Sequence, residues 1–283
     1  MKNIVITGVS TGIGLGCTRS FIKNGFRVFG SVRKQQDADR LREELGSKYV
    51  PLVFDVTDHD AVISAAEEVR KMLGDDSLAG LINNAGISVN GPLMHIKPED
   101  LRYQFEVNVF AQLAVTQAFL PMLGATKDFT GDPGKIMMMS SVSGRMAFPF
   151  LGPYTASKFA LEGLSDTLRI ELQLYGIKVI ILEPGPVKSE IWNKVDEDAW
   201  EALKKTDYLP SATKFRNFFV GEAEKGIPID DFGETVFRIF SKKDPKTRYV
   251  IINNKFKNWT IPNLLPDKIL DKMIAGQLGL KKK

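Results

Sequence analysis

The sequence predicts an α/β fold: a doubly wound, seven-stranded parallel sheet with helices on both faces. Seven short apolar runs alternate with stretches of helical periodicity along the 283 residues, and this alternation is typical of parallel sheets. Right-handed crossovers between parallel strands place helices on both faces of such a sheet. No internal repeat, low-complexity stretch or linker interrupts the pattern, so we expect residues 1–283 to form a single domain.

Each element follows from its own local pattern. Apolar runs predict strands near residues 3–7, 27–32, 49–54, 79–82, 135–140, 177–183 and 248–252. Helical periodicity predicts the main helices over about 14–24, 59–74, 99–123, 153–175 and 230–240. The turn-rich segment 127–134 is expected to be a surface connection.

Composition narrows the class of protein. Hydrophobic residues make up 43% and charged residues 25% of the chain, as in ordinary soluble globular domains. The net charge of +4 is slight and interspersed, which predicts no nucleic-acid surface. An apolar strand begins at the third residue and no run has the length of a membrane span. We therefore expect no targeting peptide and a cytoplasmic location.

Cysteine and histidine usage predicts neither a disulfide nor a metal site. The single cysteine, Cys17, lies in the first predicted helix and is expected to be a small core residue. One cysteine cannot form an intramolecular disulfide, which fits a reducing compartment. The two histidines, His59 and His95, are not in a metal-ligand spacing.

A glycine-rich turn links the first strand to the first helix. Residues 7–14 read Thr-Gly-Val-Ser-Thr-Gly-Ile-Gly. Glycines at such a turn permit positive φ and close backbone approach, and the helix N-terminus offers unpaired N–H groups to a pyrophosphate. In this strand–turn–helix context the motif predicts a dinucleotide site, although a purely structural turn is the alternative.

A second motif combines a tyrosine, a lysine and a serine. Tyr154 and Lys158 lie four residues apart in a predicted helix, so their side chains share one face. A lysine beside a phenol favours the phenolate and lowers its pKa towards the working range. Ser141, at the end of an apolar strand-like run, could hold a carbonyl oxygen for that phenol to protonate. The alternative is a solvated helix face.

These motifs occur together with four others in a fixed order. Asp55 lies in FDVTD, residues 83–86 read Asn-Asn-Ala-Gly, Asn108 lies in FEVNVFA, and residues 184–189 read Pro-Gly-Pro-Val-Lys-Ser. With this set the chain resembles the single-domain branch of the short-chain dehydrogenase/reductase family over about residues 2–252. It is most similar by eye to the steroid and retinol dehydrogenase-like members. The resemblance implies a Rossmann fold and an enzyme that interconverts a carbonyl and an alcohol by hydride transfer.

The resemblance also implies catalytic roles for four residues. Tyr154 would donate a proton to the substrate oxygen, and Ser141 would orient and polarise that oxygen. Lys158 would lower the pKa of Tyr154 and hold the nicotinamide ribose. Asn108 would hold a water that links Lys158 to bulk solvent, although a tolerated polar residue on a packed helix is the alternative.

The cofactor is expected to be NADP(H), with NAD(H) possible. The second strand ends at Val32 and continues with Arg33 and Lys34, so it offers a guanidinium rather than a carboxylate, which suits a 2′-phosphate. Solvated loop charges are the alternative, and the family's other basic position is Thr11 here. The implied cofactor-binding residues are Gly8, Ser10, Thr11, Gly12, Ile13, Gly14, Arg33, Asp55, Val56, Asn83, Ala85, Gly86, Tyr154, Lys158, Pro184, Gly185, Val187 and Ser189.

Residues 190–229 follow the Pro-Gly motif, where the family places a substrate lid. Bulky apolar residues there and near the catalytic serine predict a bulky apolar substrate such as a steroid, retinoid or lipid-like molecule. Packing of the lid or a subunit contact is the alternative, as are a small polar substrate and a non-catalytic NADP(H)-binding sensor. The residues are Met94, Met146, Phe148, Phe150, Ile191, Trp192, Trp200, Leu203, Tyr208, Leu209, Phe215, Phe218 and Phe219.

The C-terminal residues 262–283 predict a helix with an apolar stripe and a basic tail. Ile269, Leu270, Met273, Ile274 and Leu278 form the stripe. Such a helix covers the pocket or a neighbouring subunit, and peripheral membrane contact is the less favoured alternative. The resemblance implies a homodimer or homotetramer formed through the helices at 99–123 and 153–175.

Overall fold

A computed structural model describes residues 1–189 and 197–281, with the backbone only at 197–199. Within these residues, seven strands form one parallel sheet in the order β3-β2-β1-β4-β5-β6-β7. The predicted fold class is confirmed. The strands are β1 (Asn3–Ile6), β2 (Arg27–Val32), β3 (Tyr49–Val53), β4 (Leu78–Asn83), β5 (Lys135–Met139), β6 (Lys178–Pro184) and β7 (Arg248–Ile251).

Helices cover both faces of the sheet. The α-helices are α1 (Gly12–Lys23), α2 (Gln35–Leu45), α3 (His59–Leu73), α4 (Pro98–Phe105), α5 (Ala111–Phe119), α6 (Gly152–Glu171), α7 (Glu197–Leu203), α8 (Leu209–Glu224), α9 (Ile229–Phe240), α10 (Ile261–Leu264) and α11 (Asp267–Leu278). One apolar core packs α3, α5 and α6 against the sheet, and a second packs α1, α2 and α9 against the opposite face. No described helix has the length and apolar character of a membrane span.

The predicted helix at 99–123 is divided into four parts. A π-helical turn, Glu106–Phe110, separates α4 from α5, and a 3₁₀ turn, Leu120–Leu123, ends the segment. Such π turns are common at functional sites. The predicted helix at 153–175 likewise ends in a 3₁₀ turn, Leu172–Tyr175.

The sequence predicts no main helix at the positions of α2, α7 and α8. In α2 only Ala38 and Leu41 are buried, so its apolar stripe is too narrow to produce a clear helical period.

Cys17 is fully buried in α1, and burial raises its pKa to about 12. The thiol is therefore a core group, as expected.

Residues 190–196, which include Ile191 and Trp192 of the predicted lid, lie outside the described residues, as do Lys282 and Lys283.

Two glycines let α1 and α9 touch backbone to backbone. A Cβ built on Gly233 would lie 2.1 Å from the carbonyl oxygen of Gly16, and one built on Gly16 would lie 2.1 Å from that of Ile229. Real Cβ atoms do not approach oxygens so closely, so any side chain here would separate the helices. Because of this close approach, α9 packs directly against α1, the helix that follows the glycine-rich turn.

Replacing Gly233 with alanine should lower the free energy of unfolding by about 1–3 kcal/mol, because overpacking outweighs the better helix propensity of alanine. Gly163→Ala in α6 is the matched control, since a Cβ there meets nothing within 4 Å among the described residues. That variant should be as stable as the parent or slightly more stable. Urea unfolding midpoints measure both effects, and a Gly233→Ala midpoint at or above that of the parent would contradict the packing argument.

Candidate active site

The turn after β1 packs directly against the loop after β4. Gly8 has φ +68°, and a Cβ on it would lie 2.9 Å from the Cα of Ala85. A Cβ on Gly14 would lie 2.2 Å from the carbonyl oxygen of Gly8. The three backbone segments therefore form a cradle that only glycine permits.

Helix α1 begins in this cradle and faces the space above it. Its N-cap residue is Thr11, whose side chain makes no capping hydrogen bond within the described part of the chain. The first N–H groups of the helix consequently remain available to an acceptor, and the helix N-terminus favours a negative one. The cradle thus fits the pyrophosphate of a dinucleotide.

Asn84 and Thr7 hold the two segments together. The hydroxyl of Thr7 accepts from the N–H groups of Asn84 and Ala85 at 2.9 and 3.0 Å. The side chain of Asn84 donates to the carbonyl oxygens of Thr7 and Gly8 at 2.8 and 2.9 Å. Asn84 is not among the predicted site residues, although its position in the Asn-Asn-Ala-Gly motif is a usable signal.

Asn83 points the opposite way. Its side chain is buried in the core and donates to the Thr116 hydroxyl at 2.7 Å. Neighbouring residues at a strand end face opposite sides, so Asn84 lines the cavity and Asn83 lies behind its wall. A cofactor contact of Asn83, which stays a prediction, would therefore involve its backbone.

One cavity of about 730 Å³ runs along the carboxyl ends of the strands. This edge, at the switch point between β1 and β4, is where open α/β sheets bind ligands. Gly14, Asn83 and Asn108 of the predicted site residues are absent from its lining among the described residues. The predicted residues that line it are Gly8, Ser10, Thr11, Gly12, Ile13, Arg33, Asp55, Val56, Ala85, Gly86, Ser141, Tyr154, Lys158, Pro184, Gly185, Val187 and Ser189.

Arg33 and Lys34 form the rim of the cavity beyond β2. Both are exposed, and Asp37 lines the same end. Arg40 donates to the carbonyl oxygen of Ser10 at 2.8 Å and to Asp37 at 3.1 Å, so the carboxylate next to Arg33 already has a cationic partner. The rim retains an excess of positive charge.

Ser141 and Tyr154 meet on the cavity wall. Ser141 follows β5, and its hydroxyl oxygen accepts from the N–H of Ser143 at 3.0 Å. Tyr154 lies in the first turn of α6 and shares a hydrogen bond with Ser141. Both side chains are buried. The two hydroxyl groups that the sequence places thirteen residues apart thus converge on one point.

Lys158 lies beside them, one turn further along α6. Its ammonium donates to the carbonyl oxygen of Met139 at 2.7 Å and lies 5.6 Å from the centre of the Tyr154 ring. Burial lowers the pKa of Lys158 to about 8, and the charge of Glu162 acts in the opposite direction. The helical spacing therefore produces the predicted cluster.

The electrostatics of Tyr154 differ from the sequence-based expectation. Burial raises the pKa of Tyr154 above its ordinary value, and the hydrogen bond with Ser141 lowers it by less. Lys158 lies over the ring and bonds to Met139, so in this arrangement its charge does not offset the burial. A lowered pKa would require Lys158 to move nearer the hydroxyl.

Asn108 braces the loop after β4 against α6. Its side-chain oxygen accepts from the N–H of Ile87 at 2.9 Å, and its amide nitrogen donates to the Ile87 carbonyl and to Ser157 at 3.0 and 3.1 Å. Ser157 in turn donates to the Tyr154 carbonyl at 2.7 Å. Because these contacts occupy the Asn108 amide, a water relay through this residue would need its backbone.

Two further polar residues hold the same loop. Gln104 accepts from the N–H of Val89 at 2.7 Å and donates to the carbonyl of Ile87 at 2.9 Å. Gln112 donates to the carbonyl of Ala85. Neither residue is among the predicted site residues, because only the structure shows that these two glutamines are buried.

The substrate end of the cavity is largely apolar. Met146 and Phe148 line it as expected, together with Phe218 and Phe219 of α8 and residues of α11. Met94 and Phe150 do not line it: Met94 is exposed, and Phe150 packs on Tyr208 and Phe215. The lining residues from α11 are Leu270, Met273, Ile274 and Gln277.

Much of the lid packs upon itself. Leu203, Ala212 and Phe215 form a small core with Phe150 and Leu278. Trp200 and Tyr208 pack against this core. The aromatic residues are therefore divided between the cavity wall and the core of the lid. No cluster of His, Cys, Asp or Glu suited to a metal occurs among the described side chains, residues 1–189 and 200–281.

Comparison with known proteins agrees with this geometry. The model of the short chain dehydrogenase family matches residues 2–200. The chain belongs to the short-chain dehydrogenase family. As a member of that family it is an oxidoreductase.

Individual relatives extend over almost the whole chain. The NADPH-dependent 3-dehydrocapnine reductase of Ornithobacterium rhinotracheale is 42% identical over 279 residues, covering 98% of each chain. Dehydrogenase/reductase SDR family member 9 of Bos taurus is 37% identical over 98% of this chain and 88% of its own. A solved short-chain dehydrogenase from Streptomyces avermitilis superposes with a TM-score of 0.75 at 22% identity, covering 100% of this chain and 98% of that one. At that identity the superposition supports the fold alone.

Proposed function

We propose that this oxidoreductase reduces a carbonyl with NADPH, using Tyr154, Ser141 and Lys158. The observation that carries the proposal is the hydrogen bond between Ser141 and Tyr154 on the wall of the cavity that contains the glycine cradle. A structural turn does not require such a pair, and a cofactor-binding sensor does not require a proton donor.

Each residue has a role that follows from its contacts. The Ser143 N–H occupies one lone pair of the Ser141 oxygen, and the Ser141 hydrogen, which is directed to Tyr154 here, would turn to a substrate oxygen when one is bound. Tyr154 is protonated at neutral pH, since burial raises a pKa that is already well above neutral, so it has a proton to donate in reduction. Lys158 adds a positive charge over the Tyr154 ring and a donor for a ribose hydroxyl. The bound cofactor supplies the hydride.

The nucleotide would lie along the other predicted residues. The cradle of Gly8, Gly12 and Gly14 suits the pyrophosphate, and Asp55 and Val56 line the adenine end. Pro184, Gly185, Val187 and Ser189 line the nicotinamide end. The positive rim at Arg33 and the 42% identical NADPH-dependent relative support NADP(H); NAD(H) is the alternative.

The substrate is proposed to be a bulky apolar carbonyl compound. The apolar wall from α8 and α11 supports this class. Steroid, retinoid and other lipid-like carbonyls belong to it, and small polar carbonyls are the alternative.

Self-association is proposed through the helical segments 99–123 and 153–175. The π turn of the first segment exposes Phe110 at 57%, and α6 of the second exposes Phe159 at 47%. Exposed apolar side chains of this size are typical of a protein interface. A homodimer or homotetramer would cover these side chains.

The single-domain organisation, the cytoplasmic location and peripheral membrane contact remain predictions.

Tyr154→Phe should reduce NADPH-dependent turnover at least ~100-fold, because it removes the proton donor. Binding of NADPH, measured by fluorescence titration, should change little. The matched control is Tyr175→Phe, which lies beyond α6 and away from the cavity and should keep parental turnover. Retained turnover in Tyr154→Phe would disprove the catalytic assignment.

Arg33→Ala should raise the dissociation constant of NADPH by about 10-fold or more, because a charge-assisted contact to the 2′-phosphate is lost. The dissociation constant of NADH should hardly change. Arg42→Ala, on the exposed side of α2, removes the same charge nearby and serves as the control. Equal weakening of both cofactors would refute the phosphate role.

A panel of carbonyl compounds tests the substrate class through NADPH consumption. It should contain 3-dehydrocapnine, steroid ketones, retinal, long-chain ketones and small polar carbonyls. We expect turnover confined to the bulky apolar members. Turnover of small polar carbonyls alone would overturn the substrate class, and tight NADPH binding without any turnover would favour the sensor.

A further inference from the structure

A buried acidic cluster lies directly behind the catalytic residues. Glu162 is on α6 one turn after Lys158, and Glu183 is on β6 immediately before Pro184. Arg248 of β7 reaches both carboxylates. The cluster therefore joins the helix that carries Tyr154 to the strand that leads into the nicotinamide end of the cavity.

The two glutamates compete for one N–H group. The Nε of Arg248 lies 2.8 Å from an oxygen of Glu162 and 3.2 Å from an oxygen of Glu183. Nε carries a single hydrogen, and the hydrogen bond goes to Glu162. Both oxygens of Glu183 and the second oxygen of Glu162 have no hydrogen-bond partner among the described residues. The side chain of Glu183 is 1% exposed and that of Glu162 is 7% exposed, so bulk water does not supply one.

Arg248 is shared among three carboxylates. Its Nη2 lies 2.8 Å from Asp166, which also pairs with Arg169 at 3.1 Å. The hydrogen bonds of Arg248 therefore go to Glu162 and Asp166, and Glu183 receives none among the described residues. An uncompensated buried charge is costly, and a carboxyl group avoids the cost by keeping a proton.

Glu183 is the residue best placed to keep it. Burial first, and then the charge of Glu162, raise the pKa of Glu183 to about 7. Arg248, Arg145 and Lys255 are the cationic groups that act on it from β7 and the neighbouring loops, and they oppose the shift without cancelling it. The same Nε of Arg248 lies next to an oxygen of each glutamate, so a proton on Glu183 would lie close to the charged Glu162.

The space beside Glu162 also reaches Ser140, the residue before the catalytic serine. A Cβ on Gly144 would lie 2.7 Å from the hydroxyl oxygen of Ser140 and 3.2 Å from an oxygen of Glu162. Ser140 is buried next to Ser141, and its hydroxyl oxygen has no hydrogen-bond partner within the described residues. Glu162 therefore lies between α6 and the segment that follows β5.

We propose that Glu183 and Glu162 share one proton, and that this pair is a positioning element that controls the charge of Lys158. The inference rests on the proposed role of Lys158 in the reaction. Loss of the shared proton leaves both carboxylates charged, and one of them, Glu162, lies one helical turn from the Lys158 ammonium. Because opposite charges stabilise each other, Lys158 then stays protonated to higher pH.

The first test is the thermal midpoint of the protein without cofactor or substrate. In the unfolded chain Glu183 releases its proton near its ordinary pKa of 4.5, whereas the folded protein holds it to about pH 7. The resulting stability is complete below the lower value and is lost as the pH rises to the higher one. From about pH 5 to about pH 8 the midpoint of the parent should therefore fall relative to that of Glu183→Gln.

Two other variants sharpen this comparison. Glu162→Gln removes the neighbouring charge and should reduce the fall, because Glu183 then releases its proton at lower pH. Glu171→Gln, an exposed glutamate at the end of α6, is the matched control and should follow the parent. Parallel curves for the parent and Glu183→Gln would overturn the shared proton.

The second test is the pH profile of kcat/KM for carbonyl reduction. Without the added charge, Lys158 in Glu183→Gln should lose its proton earlier, which moves the alkaline fall in kcat/KM to lower pH by about one unit. Glu162→Gln should shift it in the same direction, and Glu171→Gln should not. If the stability curves diverge but the pH profile of kcat/KM is unchanged, the pair does not control the charge of Lys158. Absence of turnover in every variant, the parent included, would instead contradict the proposed function, since the stability curves do not depend on the reaction.

Discussion

The close contact between the turn after β1 and the loop after β4 is the constraint on which the rest of the site depends. Gly8, Gly14 and Ala85 approach so closely that a single added Cβ would force the segments apart. Hydrogen bonds between Thr7 and Asn84 close the same contact from the side. Because it lies where the strand order reverses, it determines where the cavity opens and which backbone groups face it.

Polar side chains from α4, the π turn and α5 extend this constraint to the catalytic residues. Gln104, Asn108 and Gln112 each bond to the backbone of the loop after β4. Asn108 also reaches Ser157 in α6, and Ser157 reaches the carbonyl of Tyr154. Apart from the Gln112 oxygen, which has no hydrogen-bond partner among the described residues, these buried amides have specific partners, so they hold the loop and α6 at a defined separation.

Burial dominates the electrostatics of the site. It raises the pKa of Tyr154, lowers that of Lys158 to about 8 and raises that of Glu183 to about 7. Each shift favours the neutral form, as expected for ionisable groups in a poorly solvated interior. The charges that remain, chiefly those of Glu162 and Arg248, therefore act strongly on their neighbours.

The sequence by itself determined the fold class, the strand positions and the Ser141, Tyr154 and Lys158 cluster, because apolar periodicity, glycine turns and helical spacing are local properties. The tertiary structure decided which of Asn83 and Asn84 faces the cavity, and how the Asn108 side chain is used. It also decided that Glu162, Glu183 and Arg248 meet, although they come from a helix and two strands far apart in the chain. Burial and charge balance depend on such distant partners, so no local pattern could reveal them.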